Sequence, residues 1–329
     1  MKKFFALTVI LISYLFAPQI FASGTAKPLM NLEIGVCTHI NHGPELEVIK
    51  DMGAKWIRID MNWEYMEPTK DNWEFTLFDK IVKAAKDNGL KIYATLAYAP
   101  AWASSNGKSN GIPDAEGWKR FVRVAVERYK NDIPVFGIWN EPNLEGFWVG
   151  TSDQYVELLL KPAYTVIKSI NENLIVAGPD LAHLYKSNIS MGDFFNSIKK
   201  LNGRNYLDII AHHIYAGDDF SKKVNGYSFA GFTYKDGLKQ LLEKGGVTDK
   251  PVWITEFGID ANVTGELKQT EGISSQLKFM ATQSWIKNAF IYELVDDPSI
   301  DWQYGLINRN NQPRPVYYEV KKLISSGFR

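Results

Sequence analysis

Two glutamates follow apolar runs in company with polar residues. Val135 to Asn143 reads VFGIWNEPN, and Val252 to Gly258 reads VWITEFG. Glu141 comes directly after Asn140, and Glu256 directly after Thr255. A carboxylate at the tip of a buried strand needs a partner or a task, because burying an unpaired charge is costly. Two carboxyls on either side of one bond can divide the work of cleaving an acetal. One is protonated at rest and gives its proton to the leaving oxygen; the other is ionised and attacks the sugar carbon. Arg58 near one glutamate would keep it charged, and burial against Trp139 and its neighbours would keep the other neutral. Each glutamate alone has a plainer reading. Asn-Pro and Glu-Pro mark turns, and Glu256 could be a solvated strand end. The chemistry rests on the pair.

What positions such a pair is a question of elements. Short β-like runs recur as LEIGV at 32, WIRIDM at 56, KIYATL at 91, VFGIW at 135, LIVAG at 174, LDIIAHH at 207, VWITEF at 252 and AFIYEL at 289. Helical patterns lie between them. LFDKIVKAAKDNG puts Leu77, Phe78, Ile81, Val82 and Ala85 on one face, with Gly89 as a stop. DAEGWKRFVRVAVERYK opens on Asp114 as N-cap and repeats Trp118, Phe121, Val122, Ala125 and Val126 at helical spacing. SDQYVELLLKPAYTVIKSIN and EGISSQLKFMATQSWIKN read as helices too, the first kinked at Pro162. YSFAGFTYKDG and ANVTGELKQTEG read as loops. Eight strand–helix units imply a parallel sheet, and in a chain of this length they fit a closed (β/α)8 barrel, an α/β fold. The alternative, an open doubly wound sheet, would show a G-x-G-x-x-G turn after its first strand, and CTHINHGP lacks it.

In such a barrel the site lies at the C-terminal ends of the strands. Strand 2 offers Arg58, Asp60 and Asn62, alternating with Ile57, Ile59 and Met61, so the polar set should face the interior. Strand 6 ends in HHIY, where His213 and Tyr215 share a parity. Strand 8 contains Glu293. For Arg58 the competing role is an internal ion pair with Asp60 or Glu293, and for His213 and Tyr215 a structural hydrogen-bonded pair. Among aromatics, Trp148, Trp102 and Trp63 stand near the strand ends and are candidates for sugar stacking, against a plain anchoring of loops. Trp56, Trp139, Trp253 and Trp285 lie inside elements and read as core. His39 and His42 follow strand 1 without a third ligand at metal spacing.

WNEPN after strand 4 and WITEFG at strand 7 resemble the retaining β-glycosidases of glycoside hydrolase clan A. IRIDMNWEYMEP and HHIY match at their expected places. The likeness spans essentially all of the chain past its N-terminus. It is greatest to family 39 and bacterial exopolysaccharide hydrolases, on YAPAWAS and YGLINRNNQPRPVYYEVKKLI, with family 5 cellulase-like enzymes next. The resemblance implies a (β/α)8 barrel with Glu141 as acid/base and Glu256 as nucleophile. It implies Asn140 on the sugar 2-hydroxyl, Arg58 and Tyr215 holding Glu256, and His213 lining the site. It calls for no metal or organic cofactor. Two positions depart from the pattern. Strand 3, KIYATLAY, lacks the His of family 5. Strand 8, FIYELVDD, offers Glu293 or Tyr292 where clan members place a Trp.

Met1-Lys2-Lys3, the apolar run from Phe4 to Ala17 and PQIFASG read as a cleaved signal over residues 1–22, followed by one catalytic domain over 30–329. At 14 residues that run is short for a membrane-spanning helix, and no later run is apolar enough to span. The expected product is exported, periplasmic or secreted. Cys37 is the sole cysteine, lies in an apolar strand and reads as a buried thiol. With 37 basic and 37 acidic residues, no bulk field points to nucleic acid. The expected partner is a polysaccharide or oligosaccharide cut internally. Oligomeric state is not legible. The rival classes are a barrel that holds polysaccharide without cutting it and a transglycosylase.

Overall fold

In the computed structural model, residues 32–328 are described, apart from 185–186, 218, 230–231 and 235–236. The residues read as a signal lie outside this range. Eight parallel strands close into a barrel: β1 (Glu33–Cys37), β2 (Trp56–Asn62), β3 (Lys91–Ala97), β4 (Val135–Ile138), β5 (Ile175–Ala182), β6 (Ile209–His213), β7 (Val252–Phe257) and β8 (Ile286–Ile291). Each pairs with its sequence neighbours, and β8 closes on β1 through Val36 opposite Ile291. The principal helices are α1 (Leu46–Met52), α2 (Thr76–Asp87), α3 (Ala115–Tyr129), α4 (Lys161–Ile170), α5 (Met191–Lys200), α6 (Leu238–Gly245), α7 (Glu266–Ala281) and α8 (Pro315–Ser326). The chain is a (β/α)8 barrel, as the alternation of strand and helix patterns predicts.

The barrel is filled, not hollow. Trp56, Tyr93, Trp253 and Phe290 pack together inside with Cys37, Val135, Ala177, Ile209 and Ala211. Trp56 and Trp253 meet edge to face at 5.0 Å. Gly137 in β4 exists for this packing, since a Cβ there would sit 2.5 Å from the Tyr93 hydroxyl. Between strands and helices lies the larger apolar layer, with Ile57, Ile59 and Met61 of β2 facing outward into it. Asp114 caps α3 by accepting from the Gly117 N–H at 2.7 Å.

Several local expectations are corrected. Residues 152–170 form the expected helix without a break, and ahead of Pro162 its irregularity takes the form of a π-helical stretch, Tyr155–Leu160, that leads directly into α4. The segment read as the loop YSFAGFTYKDG holds two short antiparallel strands, Tyr227–Phe229 and Phe232–Tyr234. ANVTGELKQTEG carries the helix Ala261–Thr264 and the start of α7, because Asp260 caps the former and Gly265 starts the latter. Leu77, assigned to the buried face of α2, is 49% exposed. It sits at the first turn, where the helix end rises clear of the layer beneath.

Candidate active site

The C-terminal ends of the strands gather the charged residues. In β2, Arg58 is buried and reaches across the mouth in two directions. Its Nη1 donates to Glu256 Oε1 at 2.7 Å, and its Nη2 donates to Asn140 Oδ1 at 2.7 Å. Asp60 Oδ1 lies 3.8 Å from the same Nη1, a looser ion pair without a hydrogen bond, so the ion pair with Asp60 exists but the hydrogen-bonded partner is Glu256. Burial works against the Arg58 charge. Glu256, Asp60 and Asp180 outweigh it and set its pKa above the ordinary arginine value.

Glu256 ends β7 and takes a second bond from the Tyr215 hydroxyl at 2.6 Å. Burial pushes its carboxyl up, while His213, Arg58 and the Tyr215 bond pull the other way. Burial, with Glu256 beside it, raises the Tyr215 phenol, which stays protonated and donates. A register shift between His212 and His213 sets His213 opposite Glu256. His213 Nδ1 lies 2.9 Å from Glu141 Oε1 and 3.5 Å from Glu256 Oε2. Its Nε2 lies 3.3 Å from Asp180 Oδ1. Burial alone would lower this imidazole. Glu256 and the bonds to Asp180 and Glu141 overcome that and raise it to about 9. At neutral pH His213 is therefore an imidazolium donating from both nitrogens.

Glu141 is brought in by the loop after β4, which ends at Ile138. Trp139 and Glu141 both take positive φ, 66° and 42°. The turned backbone is fixed at several points. Glu141 N–H donates to Asp180 O at 3.0 Å. Asn143, fully buried, donates to Ala182 O at 2.9 Å and accepts from Ala182 N–H at 3.0 Å. One carboxylate oxygen of Glu141, one of Glu256 and one ring nitrogen of His213 lie within 4.8 Å of one another. Three such groups are also a metal-ligand set by distance. Each of the three already has hydrogen-bond partners within the network described above.

Glu141, Glu256, Arg58, Asn140 and Tyr215 line a cavity of about 470 Å³ with Thr38, His39, Asp60, Tyr98, Phe147, Tyr292, Trp302 and Tyr304, while His213, expected to line the site, is fully buried beneath it. The structure brings Glu141, Glu256, Asn140, Arg58, His213 and Tyr215 together. The four other candidates are corrected. Trp148 is 1% exposed, donates to Thr151 O and packs edge to face on Trp139. Trp63 is buried and stacks on Phe121. Trp63 and Trp102 both donate to Glu67, one to its carboxylate and one to its carbonyl. Trp148 and Trp63 anchor loops beneath the rim, and Trp102, half-buried, lies outside the lining of this cavity. Glu293 is fully buried and bonds His39 Nε2 at 2.7 Å, while Tyr292 faces the cavity.

Three features escaped the sequence reading. Asp180, fully buried in β5, accepts from Tyr93 OH, Thr255 Oγ1 and His213, and His213, the Arg58 charge and the Thr255 bond hold its carboxyl low against burial. Its only local signal was the Pro-Asp pair inside an apolar run. Of the aromatic wall only Tyr292 was offered by the sequence; Tyr98, Tyr304 and Trp302, the last 57% exposed, were not. Asn143 was read with the motif, yet it serves the backbone and not the cavity.

Comparison with known proteins agrees with this geometry. Residues 25–290 match the family model Cellulase (glycosyl hydrolase family 5). A β-xylosidase of Caldicellulosiruptor saccharolyticus is 31% identical over 127 residues, 34% of this chain and 26% of that protein. A β-xylosidase of Geobacillus stearothermophilus is 22% identical over 283 residues, 76% of this chain and 55% of that protein. The chain thus spans about a quarter and about half the length of these two relatives. A family 39 glycoside hydrolase of Bacteroides cellulosilyticus WH2 shares the fold at a TM-score of 0.69 and 21% identity, over 91% of this chain and 64% of that one. A match over most of the barrel, with both glutamates inside it, places this chain in the cellulase family, glycosyl hydrolase family 5.

Proposed function

We propose that this chain is a retaining β-glycoside hydrolase, acting within a β-linked polysaccharide by double displacement. The observation that carries the reading is the approach of Glu141 and Glu256 to within 4.8 Å at the barrel mouth. Retaining enzymes hold their carboxyls ~5–5.5 Å apart, and inverting ones ~6.5–9.5 Å, because the latter must fit a water between.

In the first step a Glu256 oxygen attacks the anomeric carbon. The bond from that carbon to the leaving oxygen breaks, and Glu141 gives the leaving oxygen its proton. In the second step Glu141 takes a proton from water, the water oxygen attacks the same carbon, and the ester bond to Glu256 breaks. Arg58 and Tyr215 hold the attacking carboxylate in place. Asn140 gives its carbonyl oxygen to Arg58, which leaves its amide N–H₂ to donate to the sugar 2-hydroxyl. His213 stands between the two carboxyls as a fixed positive charge that follows the proton balance of the pair. The N-terminal signal pattern supports an exported enzyme.

The test is a panel of β-linked polysaccharides digested with wild type and Glu256→Gln. Wild type should release new reducing ends of several lengths, and Glu256→Gln should lose at least about 10³-fold in rate, in line with removal of a covalent nucleophile. Azide added to Glu256→Ala should restore turnover and yield the α-glycosyl azide. Full activity in Glu256→Gln would overturn the mechanism.

A further inference from the structure

Strand β6 ends at His213, so the chain that carries Tyr215 has already left the sheet. Its backbone is nevertheless tied at each step. His183 N–H donates to His213 O at 3.0 Å, and Ile214 N–H donates to Glu256 O at 2.9 Å. The Gln276 side chain, from α7, donates to Ala216 O. Between these ties, Tyr215 O accepts from the Lys223 ammonium at 2.7 Å. The same nitrogen donates to His183 O at 3.2 Å.

Lys223 is 7% exposed. Lysine is among the residues least often found buried, because its ammonium is costly to take out of water. Burial accordingly pulls its pKa below the ordinary lysine value. Its neighbour Lys222 shows the usual arrangement, exposed and paired with Asp219 at 2.8 Å. Both sit on the short helix Phe220–Asn225. That helix is fixed to β7, since Phe220 is buried and meets Phe257, the residue after Glu256, edge to face at 6.2 Å. Lys223 reaches from there to the main chain leaving β5 and β6. An apolar side chain of the same length fills a buried place at less cost, and what it lacks is the donors.

We propose that Lys223 is a positioning residue for the nucleophile. It fixes the main chain of Tyr215, and the Tyr215 hydroxyl, 2.6 Å from Glu256 Oε2, holds the attacking carboxylate in its turn. Lys223 does not line the catalytic cavity, so its effect on the reaction passes through Tyr215. This rests on the hydrolase reading above.

The experiment is a double-mutant cycle of wild type, Lys223→Met, Tyr215→Phe and the double variant, measured on an aryl β-glycoside that wild type cleaves. A misplacement of ~1 Å can cost ~10²-fold in rate. Loss of one tie should move Tyr215 by less, so Lys223→Met should lower kcat by roughly ten-fold, with KM within about two-fold of wild type. In Tyr215→Phe, where the hydroxyl is gone, the same change should cost under about two-fold. Should Lys223→Met not fold, Lys223→Gln enters the same cycle, because its polar head falls one bond short of the carbonyls. An equal loss in both backgrounds, or a wild-type kcat in Lys223→Met, would overturn the proposal. A second readout needs no turnover. In protein carrying tyrosine labelled with 13C at Cζ, the Tyr215 signal is the one lost in Tyr215→Phe. It should move in Lys223→Met as the phenol's bond to Glu256 loosens. A moved signal in a protein whose wild type cleaves no glycoside would overturn the hydrolase alone. Cleavage with an unmoved signal would overturn the role of Lys223 alone. Neither cleavage nor movement would overturn both.

Discussion

Asp180 shows how one buried residue sets the electrostatics of the whole mouth. It touches no cavity, yet it faces His213 Nε2 and shares its charge with Tyr93 and Thr255. The imidazolium between Glu141 and Glu256 is stable because three carboxylates surround it. Asp180→Asn would keep the shape and remove one of the three charges. The His213 pKa should fall from about 9 by roughly one unit, equivalent to ~1.4 kcal/mol. An NMR titration of the His213 ring should show its midpoint moved to lower pH by that amount. An unshifted midpoint would mean that Asp180 only packs. Arg58 is the complementary case. Its charge and its place on β2 were legible from the alternation of polar and apolar residues, but its choice of Glu256 over Asp60 depended on a distance across the barrel.

The element that matters most is the loop after β4. Its sequence, WNEPN, packs four kinds of task into five residues. Trp139 is buried and donates to Phe147 O. Asn140 meets Arg58, Glu141 meets His213, and Asn143 ties the loop to β5 at Ala182. Two positive φ angles in this stretch are unfavourable for non-glycine residues. The Asn143 clamp and the Trp139–Trp148 contact offset that strain. Asn143→Ala should leave the buried Ala182 N–H without its partner, while Ala182 O keeps the Leu184 N–H. We expect a loss of about 2 kcal/mol in a denaturant titration, and a lower kcat as Glu141 loses its fixed position. A change in KM alone, with stability intact, would contradict the clamp.

At the scale of the molecule, three buried histidines set how stability depends on pH. Burial, with Lys223 nearby, lowers His183 to about 3, and burial also lowers His212 well below its ordinary value; the two rings face each other. His213 is raised to about 9. For a lowered group, stability is full above the unfolded pKa of ~6.5 and is lost as pH falls towards the folded value. For a raised group, stability is full below ~6.5 and is lost as pH rises towards the folded value. The melting temperature should therefore peak near pH 6.5, fall on the acid side through His183 and His212, and fall on the alkaline side towards pH 9 through His213. Scanning calorimetry across this range checks it. His213→Gln should flatten the alkaline side and leave the acid side as it was.

The sequence by itself determined the eight strand–helix units, the two glutamates at strand ends, and Arg58, His213 and Tyr215 beside them. All of these follow from local patterns. Apolar periodicity names the elements, and a parallel barrel forces every strand end to one mouth. Tertiary structure alone decided which aromatic lines the cavity and which lies beneath the rim. Trp148, Trp63 and Trp102 each follow a strand end as a platform would, but the chain under them satisfies their N–H groups and draws them in. Trp302 and Tyr304, far along the chain, fill the rim instead. Tyr292 and Glu293 are neighbours in sequence, and only the closure of β8 onto β1 sent one to the cavity and the other to His39. Asp180 acquired meaning in the same way, since a buried polar atom can be judged only once its neighbours in space are known.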